Sequence, residues 1–154
     1  MTITRILVPT DFSADANAAF DYALELARKF DASVHVLHVV EDPLAAGMWS
    51  SEIYTADIAG LQVNLVRDAE DRLKRSVPEN AGSISTEVRT GNAAKAILEA
   101  ARDRNADLMV MGTRGRTGIA HIVMGSVAER VVRLAPCPVL TLKAATVRSA
   151  ADAA

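Results

Sequence analysis

The sequence has little that would tie it to the cell exterior, to nucleic acid or to a membrane. Its single cysteine, Cys137, excludes an internal disulfide, and residues 1–5 lead into an apolar run rather than into a signal peptide. Seventeen basic and nineteen acidic side chains leave a net charge of −2, so no overall field attracts nucleic acid or an anionic surface. No apolar run approaches the ~20 residues that span a bilayer. We expect a cytoplasmic protein with no nucleic-acid or membrane partner.

The composition is that of one folded domain. Half of the 154 residues are hydrophobic and 23% are charged, which is too apolar for a disordered chain. Domains cluster near ~100–150 residues, and a chain of this size can bury most of its apolar surface in one core. We predict a single domain over residues 1–143 and a flexible tail over residues 144–154.

Short apolar runs alternate with helical patterns along the chain. Strands are predicted at residues 6–8, 32–40, 83–89, 107–111 and 139–142, and helices at 13–30, 58–77, 93–104 and 126–134. Residues 41–56 show no sustained period and are predicted to form a loop or partial lid. Alternating strands and helices favour right-handed crossovers, so we predict an α/β fold with one open five-stranded parallel sheet and helices on both faces.

Two polar segments follow predicted strands. Pro9-Thr10-Asp11 ends the first strand, and the run from Gly112 to Gly118 follows the fourth strand, with Gly125-Ser126 opening the last helix. In an open parallel sheet, ligands bind beyond the carboxyl ends of the strands, where the direction of the connections reverses. The two segments are therefore expected to meet in one site.

The glycines of the second segment suit a bound anion. Gly112, Gly115 and Gly118 permit positive φ angles and let a ligand approach backbone amides without an intervening Cβ. A helix that starts near Ser126 adds free N–H groups, the positive end of its dipole and a hydroxyl donor, which favour a di- or triphosphate. The spacing is neither a Walker loop nor the Rossmann glycine fingerprint. Three glycines in a tight turn are the alternative interpretation.

The spacing Gly112-x2-Gly115-x9-Gly125-Ser126 resembles the nucleotide-binding signature of the universal stress protein family. Further matches to the family's pattern lie at residues 6–13, 37–39, 91–97 and 136–140. The resemblance covers residues 3 to 143, so it extends well beyond one motif.

The resemblance implies a Rossmann-like sheet of the adenine nucleotide alpha hydrolase type, with strand order 3-2-1-4-5. It also implies binding of ATP with Mg²⁺, and a homodimer formed by antiparallel pairing of the last strands, Val139 to Leu142. An apolar strand at a sheet edge independently favours such pairing. By position, Pro9 and Val39 would flank the adenine, and Asp11 would lie by the ribose or the metal. The nucleotide-binding residues implied in this way are Pro9, Thr10, Asp11, Val39, Gly112, Thr113, Arg114, Gly115, Arg116, Thr117, Gly118, Gly125, Ser126, Val127 and Ala128.

Several of these residues also have a structural interpretation. Asp11 suits Mg²⁺ or a ribose hydroxyl, yet either Asp11 or Ser13 is an acceptable N-cap for the first helix. Arg114 and Arg116 either neutralise phosphate or are simply solvated.

The remaining candidate residues favour structural roles. His35, His38 and His121 are not spaced like a metal-ligand set and are interpreted as hydrogen-bonded structural histidines. Cys137 is predicted to be a small buried hydrophobe rather than a reactive thiol. Trp49 either covers a ligand or anchors its own loop.

Three functions follow from these observations. The leading prediction is an ATP-binding stress-response or regulatory module whose occupancy selects an unknown protein partner. The alternatives are a slow ATP hydrolase or adenylyl-transferring enzyme on the same scaffold, and a nucleotide-free dimeric interaction protein. The sequence shows no Ser-His-Asp arrangement and no clearly placed general base, so we expect turnover to be slow or absent.

Overall fold

The structure is a computed structural model that describes residues 2–41, 55–78, 82–115 and 124–144. Within these ranges, strands and helices alternate along the chain. They are β1 (Arg5–Thr10), α1 (Ala14–Phe30), β2 (Ser33–Val40), α2 (Thr55–Ser76), β3 (Ile84–Thr90), α3 (Ala93–Asp103), β4 (Leu108–Gly112), α4 (Ser126–Leu134) and β5 (Val139–Leu142).

The strands form one parallel sheet in the order β3-β2-β1-β4-β5. This confirms the predicted α/β fold and the order implied by the resemblance. The chain first builds outward from β1 to β2 and β3, then returns to the other side of β1 with β4 and β5. The direction of winding therefore reverses between β1 and β4, which is where the predicted crevice lies.

The core has two halves because successive residues of a strand point to opposite faces of the sheet. Ile6 and Val8 of β1 pack on one face with α1 and with Leu73 of α2. Leu7 and residues of α3 and α4, including Val131, pack on the other face. Burying a side chain of this size contributes about 1.5–3 kcal/mol. The predicted placement of helices on both faces is confirmed.

Side chains that cap the helices fix where α1 and α3 begin. Ser13 Oγ accepts a hydrogen bond from the Ala16 amide at 3.2 Å, and Asn92 Oδ1 accepts one from the Lys95 amide at 3.0 Å. Such caps contribute about 1 kcal/mol each. Ser13, rather than Asp11, is therefore the N-cap of α1.

The second helix differs from its predicted bounds. It begins at Thr55 and ends at Ser76, before Pro78, so residues 55 and 56 of the predicted loop are helical. The first turn, Thr55-Ala56-Asp57, carries no apolar period that would have marked it as a helix. The rest of that loop from residue 42, with Trp49, lies outside the described residues, as do Arg116, Thr117, Gly118 and His121. Within the described ranges, no helix is both long and apolar enough to span a membrane.

Candidate functional site

The turn after β1 is fixed by two side-chain hydrogen bonds to its own backbone. Thr10 Oγ1 accepts from the Phe12 amide and Asp11 Oδ1 accepts from the Ser13 amide, both at 3.0 Å. Short polar side chains commonly close turns in this way. The turn holds the Asp11 carboxylate beyond the carboxyl end of β1, the central strand, and near Gly115 in the loop that follows β4.

Phe12 in this turn adopts a left-handed backbone conformation, with φ of 63°. That conformation costs a bulky residue about 1–3 kcal/mol. Its ring stacks on His38, with centroids 4.6 Å apart, and carries the Arg72 guanidinium 4.2 Å above its centre. His38 Nδ1 is also 2.7 Å from the Thr10 carbonyl oxygen. These contacts offset the strain and tie the turn to β2 and α2, and they give His38 the structural role predicted for it.

Asp15, in the first turn of α1, anchors the loop after β4. The residue is only 5% exposed. Its Oδ2 accepts hydrogen bonds from Thr113 Oγ1 at 3.1 Å and from the Arg114 amide at 3.2 Å, and its Oδ1 accepts from the Ala144 amide at 2.9 Å. Burial acts to raise the pKa of Asp15, but the bonds from Ala144, Arg114 and Thr113 outweigh it and lower that pKa. One ionised carboxylate thus joins three parts of the chain.

Sequence reasoning missed Asp15. Its only local signal is an acidic residue in the first turn of a helix, which normally indicates a favourable charge near the helix dipole.

The contacts of Asp15 also change the interpretation of Arg114. Arg114 Nε lies 3.2 Å from Asp15 Oδ2, so its guanidinium pairs with a protein carboxylate and is not simply solvated. Its contact with phosphate stays a prediction.

Gly112 is required by packing rather than by backbone conformation. A Cβ at this position would lie 2.8–2.9 Å from the carbonyl carbon and Cβ of Asp15 and from the Ala16 amide nitrogen. Neither Gly112 nor Gly115 uses the positive φ angles that glycine permits, since the described glycines that do so are Gly82 and Gly91. Gly112 instead lets the end of β4 lie directly against the first turn of α1.

The two halves of the glycine pattern meet in space. The Gly125 amide donates to the Thr113 carbonyl at 2.8 Å, and a Cβ on Gly125 would lie 3.9 Å from the Gly115 nitrogen. A Cβ on Gly115 would lie 2.9 Å from Asp11 Oδ2. Gly125 is also the N-cap of α4 and has no side chain to cap it. Asp11, Gly115 and the amino end of α4 therefore lie next to one another beyond the carboxyl ends of β1 and β4.

Comparison with known proteins identifies the family. Residues 2–143 match the sequence profile of the Universal stress protein family. The chain is a member of the universal stress protein family. It is 37% identical over 139 residues to a universal stress protein of Methanocaldococcus jannaschii, covering 90% of this chain and 81% of that protein.

Solved structures agree with this assignment. The universal stress protein UspA from Lactobacillus plantarum superposes with a TM-score of 0.78 at 28% identity, covering 93% of this chain and 99% of that one. A universal stress protein solved in complex with cAMP superposes with a TM-score of 0.61 at 26% identity, covering 94% and 99% of the two chains.

The other described residues that the universal stress protein signature implies lie at the carboxyl ends of the strands and at the start of α4. Pro9 is buried and Val39 half-buried near the ends of two paired strands, β1 and β2. At the start of α4, Ser126 is exposed and Val127 half-buried, whereas Ala128 is 5% exposed and packs in the core. The carboxyl ends of β1 and β2 thus carry apolar residues, and the start of α4 exposes the Ser126 hydroxyl.

Two predictions about isolated groups can be compared with the structure. Cys137 is half-buried against the second half of the core, where burial, reinforced by the charge of Asp107, raises the pKa of its thiol. This agrees with a small hydrophobic role. Across the described part of the chain, no group of three or more His, Cys, Asp or Glu side chains is arranged to hold a metal ion.

Proposed function

We propose that this universal stress protein binds ATP with Mg²⁺ between the carboxyl ends of β1 and β4. The observation that carries the proposal is the meeting of Asp11, Gly115 and Gly125 at the amino end of α4. Two loops separated by about a hundred residues converge where a triphosphate would be held by backbone N–H groups and a helix dipole.

The surroundings fit a nucleotide in other respects. Any Cβ at residue 115 would lie 2.9 Å from Asp11 Oδ2, so glycine there allows the Asp11 carboxylate to lie close to the backbone of the loop. Pro9 and Val39 provide apolar contact for a base, and Ser126 a hydroxyl for a phosphate. The complex of a 26% identical universal stress protein with cAMP supports an adenine nucleotide as the ligand.

Asp11 suits a metal ion that arrives with the nucleotide. Mg²⁺ is commonly bound by one or two carboxylates together with phosphate oxygens and water, rather than by an all-protein cage. One carboxylate beside a phosphate loop matches that pattern. Asp11 would therefore hold the ion or a ribose hydroxyl.

The nucleotide is expected to act as a ligand that selects a regulatory protein partner. Fast phosphoryl transfer needs a group that orients the attacking water, and the nearby carboxylates already accept hydrogen bonds, Asp11 from Ser13 and Asp15 from Thr113 and Arg114. Single-turnover hydrolysis by the pure protein, with Asp11→Ala as the control for a contaminating ATPase, tests this. Turnover near ~10 s⁻¹, the enzyme median, that Asp11→Ala abolishes would instead identify an ATP hydrolase.

Calorimetric titration with Mg-ATP tests binding itself. In Gly115→Val the new Cβ meets the end of the Asp11 side chain, so affinity should fall at least about tenfold, or 1.4 kcal/mol. The thermal midpoint should stay unchanged, because residue 115 is exposed. Gly60→Ala is the matched control, because a Cβ there meets nothing within 4 Å. Equal affinity in Gly115→Val and the wild type would refute the site.

The last strand suits the predicted homodimer. β5 is the outermost strand of the described sheet beyond β4. The carbonyls of Pro138 and Leu142 accept hydrogen bonds at 2.9 Å from the amides of Met109 in β4 and of Thr113 just after it. The backbone groups of Val139 and Thr141, which alternate with them, therefore point to the open edge. Antiparallel pairing of two such edges would join the protomers.

The half-buried thiol of Cys137 is compatible with the reducing cytoplasm, where we expect the protein to act.

A further inference from the structure

A second polar cluster lies at the opposite end of the sheet, near the amino ends of the strands. It borders a cavity of about 230 Å³. The polar residues that line this cavity are Arg5, Ser33, His35, Ser85 and Arg104. None of them belongs to the nucleotide site proposed above.

Two side chains of this cluster, His35 and Ser85, form a hydrogen-bonded chain with Glu87, which lies next to the cavity lining. His35 of β2 lies directly opposite Ser85 of β3 in the sheet register. Its Nδ1 is 2.7 Å from Ser85 Oγ, and its Nε2 is 2.9 Å from Glu87 Oε2. Glu87 lies two residues beyond Ser85, which puts both side chains on the face that carries His35. His35 is 7% exposed, whereas Ser85 is exposed.

The protonation states of the chain follow from its partners. Burial opposes ionisation of Glu87, but hydrogen bonds from Arg89, Arg104 and His35 outweigh it and lower the pKa of Glu87 to about 2. An ionised carboxylate can only accept, so His35 Nε2 carries the proton and Nδ1 accepts from the Ser85 hydroxyl. Burial also lowers the pKa of His35, which leaves the ring neutral at pH 7.

We propose that Ser85 is an activated nucleophile that accepts the acyl group of a small carboxylic ester in this cavity. A hydroxyl bonded to a histidine that a carboxylate orients is the arrangement by which serine is activated. Sequence reasoning missed it because the three residues are joined by strand register rather than by a motif. Ser33 lines the same cavity without this support, since its hydroxyl donates to the Thr4 carbonyl at 3.1 Å.

The cavity limits the size and charge of the substrate. Its volume lies below the roughly 300–1,000 Å³ of sites for drug-sized ligands, so only a short acyl group fits. Arg5 and Arg104 pair with Asp107 and Glu87 at 3.1 and 2.8 Å, and each guanidinium has five N–H donors. Donors that remain would stabilise the negative oxygen of a tetrahedral intermediate.

The ester is cleaved in two steps, acyl transfer to Ser85 and hydrolysis of the acyl-serine. Ser85 Oγ bonds to the carbonyl carbon as its proton passes to His35 Nδ1. The bond from that carbon to the ester oxygen breaks, and the departing alcohol takes the proton from His35. Water then bonds to the acyl carbon as His35 Nδ1 accepts a proton from it. The bond from that carbon to Ser85 Oγ breaks, Ser85 Oγ takes the proton from His35, and the carboxylic acid is released.

Labelling with an ethyl fluorophosphonate probe tests the nucleophile, since Ser85 Oγ would displace fluoride and retain the phosphonyl group. Peptide mass spectrometry should find the label on Ser85 and none on Ser33. Glu87→Gln, checked for folding by circular dichroism, should slow labelling about 10²–10⁴-fold. No label, equal labelling of Ser33, or an unchanged rate in folded Glu87→Gln would each overturn the proposal and leave the cluster a structural network.

The pH dependence of wild-type labelling needs no variant. The charged groups around His35 are Glu87 and Arg89 of β3 and Arg104 after α3, and Arg5 of β1 lines the same cavity. The labelling rate should therefore rise with pH as His35 loses its proton, in a single step below pH 6.5, and stay level from there to pH 8. A rate that instead climbs tenfold per pH unit from pH 6 to 9 indicates attack by an unassisted hydroxyl and contradicts the proposal.

Discussion

Replacing Gly112 by alanine should destabilise the fold even when no ligand is present. The added Cβ would lie 2.8–2.9 Å from three atoms of α1, two of them in the backbone. Carbon atoms at ordinary contact are about 3.5–4.0 Å apart, so the end of β4 and the start of α1 must separate by roughly 0.6 Å. Overpacking of this kind costs about 1–3 kcal/mol. We expect the upper part of that range, because backbone atoms cannot rotate away as a side chain can.

For a chain of this length, 2–3 kcal/mol corresponds to a fall of about 4–12 °C in the thermal midpoint. Urea unfolding of the apo protein, followed by circular dichroism, measures the free energy of unfolding. Gly60→Ala is again the control and should be neutral or stabilising, because alanine favours a helix over glycine by about 1 kcal/mol. A Gly112→Ala protein within 0.5 kcal/mol of the wild type would refute the packing argument and return Gly112 to a role in ligand approach alone.

Three further predictions concern other parts of the molecule. Asp15→Ala should lower the free energy of unfolding by about 2–4 kcal/mol, since it leaves the buried Thr113 hydroxyl and the half-buried amides of Arg114 and Ala144 without their acceptor; urea unfolding should show no such loss for the exposed Asp21→Ala on the same helix. The pKa of Glu87 falls from 4.5 to about 2 on folding, so the unfolded chain binds more protons in that interval and stability should decline as the pH drops from 4.5 to 2. Glu87→Gln should flatten this decline in a pH series of unfolding curves, and an unchanged slope would contradict it. Thr141→Pro removes a donor from the open edge of β5 and should convert a dimer to a folded monomer by light scattering; a dimer that survives does not form through this edge.

The elements that the sequence predicted well are those with a strong local signal. The bounds of α4 and β5 match the predicted ranges because Pro136 and Pro138 separate them sharply. The convergence of Asp11 with the glycine loop was predicted because it follows from the topology of parallel sheets. Between the two possible caps, Asp11 and Ser13, the local sequence favours neither, and only the geometry of the turn decides.

The features that were not predicted depend on contacts between distant parts of the chain. The need for glycine at position 112 arises from the approach of α1, which no pattern around residue 112 records. The same holds for the partners of Asp15 and for the pairing of His35 with Ser85, which a shift of one residue in strand register would break. Local rules therefore describe the elements, whereas the site depends on how these elements pack.

Asp15 bonds to residues far away along the chain, so the candidate site forms only when the distant parts of the chain have come together. Its partners Thr113, Arg114 and Ala144 are 98, 99 and 129 positions away, and the entropy of closing such long loops must be overcome before these bonds form. A partly folded chain lacks the site. A nucleotide that binds only the completed fold would add about 2.7 kcal/mol of stability at a hundredfold excess over its Kd. The lifetime of the protein against proteolysis would then follow the supply of nucleotide in the cell.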